Sequence, residues 1–296
     1  MSERPDDPVE RIEALAASIE RLEEMVFEPP EASDDEPVFL ASIGWRSGST
    51  LLQRILMTDP SILVWGEPLS HLLYMNRLTE LLFGFTAKWP EPNHWISHLP
   101  KLDMAREWMA HVAPDPGHLK GAYRAFVDRW LGVPARERGF PRWGVKQVRW
   151  SGEEALALRW LYPNARFILI SRHPVSAYKS MKDIGFVPGE MGFMLDWPER
   201  WVADLDAYAN YWNHLARSWA AASTRMKVTW VRYEDLVDGR TDFEAVGRAA
   251  GLSLQPQTAL SVVAGGPVIR SQMTGEERDR INALTETGRR VFAYSE

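Results

Sequence analysis

The chain has 296 residues, 45% apolar and 25% charged, which is enough to bury a large core in one α/β domain with insertions. A formal net charge of -6 argues against nucleic acid and acidic membrane surfaces as partners. With no cysteine, disulfides, thiolate catalysis and cysteine-bound metals are excluded.

Residues 1–36 read as an N-terminal amphipathic helix followed by an acidic linker. Ile12, Leu15, Ile19, Leu22 and Val26 recur at spacings of three and four, and Pro29 and Pro30 end the helix. Such a short seam is marginal alone and calls for a cover. That cover is either the chain's own domain, a second copy in a homodimer, or another protein docked there.

Residues 37–296 form the main domain. The apolar run 38–43 predicts a buried parallel strand, and the polar glycine loop 44–49 follows it. Thr50, Leu51, Leu52, Ile55 and Leu56 then open a helix. Strand, tight loop and helix N-terminus make an anion cradle, with Ser49 and Thr50 as hydroxyl donors. The loop lacks the Gly-Lys-[Ser/Thr] ending of nucleotide triphosphatases and carries Arg46 instead. Segment 62–64 is a short strand ending at Gly66-Glu67. Glu67 either faces the same cleft or charges the start of the next helix.

Residues 69–142 read as a helical insertion with helices over 69–85, 103–112 and 119–131, capping the sheet edge. Five histidines fall here (His71, His94, His98, His111, His118) without metal-ligand spacing, so they read as surface or packing residues. Many of the 14 tryptophans lie between Trp89 and Trp160, as packing or as an aromatic wall for a bulky or apolar acceptor. Further strands are expected at 143–147, ending near Lys146, at 166–171, running into Arg172-His-Pro, and at 227–233. Helices are expected at 152–161, after Pro174, at 198–222, at 241–250 and from near Thr274. Alternating strands and helices imply a three-layer, P-loop-like α/β fold whose central parallel sheet carries its site at the strands' carboxyl ends. No apolar run reaches membrane length, and the acidic N-terminus lacks a signal peptide's basic and apolar regions, so the expectation is a soluble, cytoplasmic protein.

Three segments in order resemble the sulfotransferase superfamily, whose donor is 3′-phosphoadenosine 5′-phosphosulfate (PAPS) and whose spent nucleotide is 3′-phosphoadenosine 5′-phosphate (PAP). The loop Trp45-Arg46-Ser47-Gly48-Ser49-Thr50 is similar to the one holding the 5′-phosphosulfate. Arg172 at a strand end, with Ser180 eight residues on, resembles the 3′-phosphate site. Tyr233 in Val231-Arg-Tyr-Glu-Asp-Leu resembles a tyrosine beside the nucleotide. The resemblance implies Arg46, Ser47, Gly48, Ser49, Thr50, Arg172, Ser180, Tyr233 and, from a poorer match at the tail, Arg270 and Ser271 as nucleotide-binding residues.

Within the superfamily the pattern looks closer to the protein-tyrosine sulfotransferase branch and many bacterial enzymes than to the cytosolic small-molecule branch. Val148 stands where the small-molecule branch has its histidine base. Gly66-Glu67 matches the glutamate base of the tyrosine-sulfating branch, and Lys146 resembles the catalytic lysine of both. A further arginine of the tyrosine-sulfating branch falls on Ile184, so protein tyrosine is not implied as acceptor.

The implied reaction is in-line transfer of a sulfonate from PAPS to an acceptor hydroxyl, catalysed by Glu67, Arg46 and Lys146. Fixed cations suffice for a sulfonate, so no metal is expected. The acceptor is bulky, apolar or borne on a carrier protein. Two other readings stay open: a P-loop-type kinase, against which the missing loop lysine speaks, and a non-catalytic nucleotide-binding or interaction module.

Overall fold

The computed structural model describes residues 5–25, 36–68, 74–86, 88–98, 106, 110–183, 196–197, 200–202, 204–263 and 271–294. Arg270, Ile184, His71 and most of the predicted helix 103–112 lie outside the described residues.

Five parallel strands form the central sheet: β1 (Val38–Ser42), β2 (Ile62–Gly66), β3 (Arg142–Gln147), β4 (Arg166–Ser171) and, at one edge, a strand numbered β7 below, in the order β2-β3-β1-β4-β7. The apolar runs of β1 and β4 are continuous because both of their faces are covered. Alternate residues sort into two cores. Phe39, Ala41, Phe167 and Leu169 face one side, and Val38, Leu40, Ile168 and Ile170 face the other.

The chain opens with α1 (Pro8–Glu24), capped by Asp7, whose carboxylate accepts from the Val9 N–H at 2.9 Å. Helix α2 (Ser49–Leu56) follows β1, and α3 (Tyr74–Leu82) follows β2. Helix α4 (Pro116–Val127) starts on Pro116 and runs through a π-turn over Asp128–Gly132 into α5 (Val133–Glu137). The predicted helix 119–131 is thus part of a longer rod, begun by a proline suited to a first helical turn. Next come α6 (Gly152–Leu161) and α7 (Pro174–Asp183).

A two-residue ladder, β5 (Asp196–Trp197) against β6 (Arg200–Trp201), precedes α8 (Leu205–Ser223). The helix predicted from 198 therefore starts later. Its true cap is Asp204, which accepts from the Ala207 N–H at 2.7 Å. The remainder comprises β7 (Val228–Arg232), α9 (Tyr233–Val237), α10 (Phe243–Ala250), α11 (Pro256–Val263) and α12 (Gly275–Val291). Helices α2 and α10 cover one face of the sheet, while α6, α8 and α12 pack over the other.

The apolar seam of α1 is taken up by the chain's own core. Ile12, Leu15 and Leu22 are fully buried, and α1 packs on α6 and α8. Arg11 ties the helix down, reaching both Glu153 oxygens at 2.8 Å. Leu15→Ala is therefore expected to lower the unfolding free energy of the chain by about 2–5 kcal/mol, read by chemical denaturation. A seam that served only to join two copies would instead change the oligomeric state and leave the monomer's stability alone.

Candidate active site

The parallel sheet gathers the singled-out residues at its carboxyl edge. Strand β1 lies in the middle, so the loop after it has the ends of β3 and β2 on one flank and those of β4 and β7 on the other. This is the crevice where open α/β sheets bind ligands.

The loop itself is a left-handed turn at two points, with Gly44 at φ +73° and Gly48 at φ +87°. Gly48 is also the residue before α2, where no side chain caps the helix. Helices α6, α8 and α12 are each closed by a Ser, Asp or Thr side chain, whereas α2, like α4 and α9, has none, so the N–H groups of its first turn are left to another acceptor. The Ser47 hydroxyl is turned inward, donating to the carbonyls of Ile43 at 2.7 Å and Gly44 at 3.0 Å. Ser47 can therefore offer an anion its backbone N–H, while its side chain holds the loop's shape. Ser49 is buried and Thr50 exposed.

On the β4 flank, Arg172 is 7% exposed. One of its terminal nitrogens donates to the Arg46 carbonyl at 3.0 Å, and its guanidinium lies 4.2 Å from the centre of the Tyr233 ring. Its Nε is buried and, among the described residues, has no hydrogen-bond partner. Burial pulls the Arg172 guanidinium below its ordinary value, as expected of a buried cation short of a counter-anion. Ser180, also buried, accepts from Arg46 Nε at 3.3 Å. Arg46 thus bridges the two anion sites that the sequence suggested separately. Tyr233 leans on the loop: a β-carbon added to Gly48 would stand 2.3 Å from its ring. Ser271 is fixed at the end of α7, its N–H and hydroxyl both donating to Asp183.

On the other flank, the β2–β3 register pairs Gly66 with Lys146. Glu67 continues it, its N–H donating to the Lys146 carbonyl at 2.8 Å. The Lys146 ammonium is in turn ion-paired to the Glu67 carboxylate. Lys146's side chain is 8% exposed and that of Glu67 31%, so the carboxylate is the reachable member of the pair. Glu67 adopts φ +34°, a conformation that costs a non-glycine residue free energy and is found most at functional sites. Val148, where one related branch has a histidine, is buried and bonds through its backbone alone, its N–H donating to Gln147 Oε1 at 2.9 Å and its carbonyl accepting from Tyr211.

Two residues here escaped the sequence reading. Arg149 is buried with its guanidinium 6.0 Å from the Trp45 ring centre. Tyr211 packs on Trp45 at 4.7 Å and donates to the Val148 carbonyl at 2.9 Å. Burial raises the Tyr211 phenol far above its ordinary range, with the Arg149 charge opposing the shift and the Glu67 charge adding to it. Tyr211 therefore lies within electrostatic reach of both. An arginine just past the Lys146 strand was a usable signal for Arg149. Tyr211, one of several aromatics on α8, gave none.

Behind β3, Glu154 is buried and accepts from Asn76 at 2.8 Å and from the Ser151 N–H and hydroxyl at 2.7 Å. Burial, and then the neighbouring Glu153 charge, push its pKa up to about 7. A raised carboxyl pKa contributes stability that is complete below the ordinary carboxylate value and is lost as pH rises through about 7. Glu154→Gln is expected to flatten this part of the Tm–pH profile between about pH 5 and about pH 8, measured by thermal denaturation.

The sulfotransferase family matches residues 37–256. No curated protein matches the chain in sequence. Among solved structures, the sulfotransferase domain of the Synechococcus PCC 7002 olefin synthase is 18% identical, with a TM-score of 0.46, over 92% of this chain and 99% of that one. Sulfotransferase STF9 from Mycobacterium avium is 16% identical, with a TM-score of 0.44, over 97% and 81%. Sulfotransferase STF1 from Mycobacterium tuberculosis H37Rv is 15% identical, with a TM-score of 0.43, over 94% and 83%. No helix among the described residues is long and apolar enough to cross a membrane. With the family match extending from the start of β1 past the end of α10, the chain belongs to the sulfotransferase family.

Proposed function

We propose that the chain transfers a sulfonate group from PAPS to an acceptor hydroxyl, with Glu67 as the base. One observation carries this reading. The uncapped α2 loop lies between a buried arginine lacking an acceptor at Nε, on the β4 side, and the Lys146–Glu67 pair, on the β2–β3 side. Two separate anion sites suit a nucleotide with phosphates at both ends, and the α2 N-terminus and Arg172 are fitted to one each.

PAPS would supply an activated sulfonate on a phosphate leaving group. The residues of the chain do the rest. Backbone N–H groups at the start of α2 hold the 5′ end, and Arg172, Ser180 and the Tyr233 ring hold the nucleotide's other end. Glu67 accepts the proton of the attacking hydroxyl as the new S–O bond forms. The bond to the phosphate oxygen breaks, and Lys146 and Arg46 balance the charge that grows there. An ammonium has three N–H donors, so Lys146 can keep Glu67 oriented while serving the leaving oxygen. The reading is tested by transfer of labelled sulfonate from PAPS to a pool of hydroxyl compounds, together with the rise in Tm on adding PAP. No transfer and no Tm rise would overturn it, and magnesium-dependent ATP hydrolysis would point to a kinase instead.

A further inference from the structure

The helical insertion holds a cavity of 620 Å³ that shares no residue with the constellation around Lys146 and Glu67. It opens between the end of α3 and the first turns of α4, with Leu81 and Phe85 on one side and Leu119 and Ala122 on the other, and with Trp89 and Trp95 also in its wall. The first turn of α3 is tied to the body of the domain: Tyr74 packs on Trp130 at 4.9 Å, and Asn76 bonds Glu154 of α6. At 1.5 Å per residue the opposite end lies about 12 Å farther along. The cavity is therefore a separate compartment at the distal end of α3.

Of the three histidines among the described residues of its wall, His94 is buried, at 8% exposed, while His111 and His118 are exposed. The His94 backbone is pinned, its N–H donating to the Glu91 carbonyl at 3.0 Å and its carbonyl accepting from the Ala113 N–H at 2.8 Å. Its ring meets Trp89 edge-on at 4.6 Å and lies 5.2 Å from His111. Nδ1 is buried and, among the described residues, has no hydrogen-bond partner. A buried polar nitrogen without a partner is costly, and an apolar cavity of this size forfeits the contacts that a filled one would make. At the rim, Leu81 and Trp89 are 40% and 48% exposed, apolar surface that a ligand would cover. Mainly apolar walls with a few polar groups are the make-up of a small-molecule site.

We infer that this cavity binds a small, mainly apolar molecule carrying a single hydrogen-bonding group, such as an alkylphenol, toward which the His94 ring turns so that Nδ1, closed off from the cavity in this structure, gains a partner. The site is independent of the sulfonate donor and of Glu67. Titration calorimetry of 4-butylphenol into the full chain is expected to give saturable one-to-one binding that persists with saturating PAP. His94→Leu keeps the cavity apolar and removes the polar contact. It is expected to weaken butylphenol about two- to tenfold and leave butylbenzene, which has no hydroxyl, within about twofold. Ala122→Trp, from an exposed helix position, should block both probes, and Leu81→Trp at the exposed rim provides a second block if the first fails to fold. Absence of saturable binding, displacement by PAP, indifference to a folded blocking variant, or equal losses of both probes in His94→Leu would each overturn the inference.

Discussion

Glu67→Gln is expected to lower kcat for sulfonate transfer by at least about a hundredfold, while PAP still raises the Tm as it does for the parent chain. The amide keeps the shape of the side chain and can still accept a hydrogen bond from Lys146, but it cannot take a proton from an attacking hydroxyl. The change is clean for two reasons. Glu67 is tied to β3 through its own N–H and the Lys146 carbonyl, so the backbone stays in place. Its φ of +34° is equally strained for glutamate and glutamine, so the substitution neither relieves nor adds backbone cost. Single-turnover rates together with PAP titrations separate the two effects. Near-parental turnover would remove Glu67 from the role of base. Parallel loss of turnover and PAP binding would mean that the carboxylate serves the nucleotide site.

Gly48→Ala is expected to weaken PAP binding at least about tenfold, read by calorimetry, and to lower the Tm of the nucleotide-free protein. Two costs add at this position. Alanine at φ +87° sits in a left-handed conformation, which carries roughly 1–2 kcal/mol of steric cost. Its β-carbon would also lie 2.3 Å from the Tyr233 ring, so the ring must move. That ring supports the Arg172 guanidinium at 4.2 Å, and Arg172 holds the loop through the Arg46 carbonyl. One methyl group therefore disturbs both the loop and the β4–β7 flank of the proposed nucleotide site. Adding Tyr233→Ala to Gly48→Ala should recover part of the lost Tm by removing the clash, without restoring PAP affinity. Unchanged affinity in Gly48→Ala would show that the nucleotide binds elsewhere.

Much of the fold was legible in the residues because its inner strands are buried on both faces. Runs such as Val38–Ser42 and Arg166–Ser171 are continuous and bounded by turn residues, so their ends were placed to within a residue. Helix starts were less legible where a cap competed with periodicity. In α8 the apolar spacing ran back past Asp204, yet that side chain closes the helix. The seam of α1 was legible as apolar but silent on its partner. The same spacing serves a dimer or a domain, and only the cover supplied by α6 and α8 separates the two.

By itself, the sequence determined the parallel α/β architecture, the glycine loop at the head of α2, and a polar residue at each relevant strand end. These follow from period, turn chemistry and order along the chain, all of which are local. Only the tertiary structure decided which of those residues meet. Lys146 reaches Glu67, 79 positions away, because β2 and β3 are neighbours in a register that pairs Gly66 with Lys146. Arg172 stacks on Tyr233, and Arg46 spans to Ser180, because β4 lies between β1 and β7. Sheet order and register are fixed by the packing of helices that cross between strands, a sum of long-range contacts that no single stretch of the chain encodes.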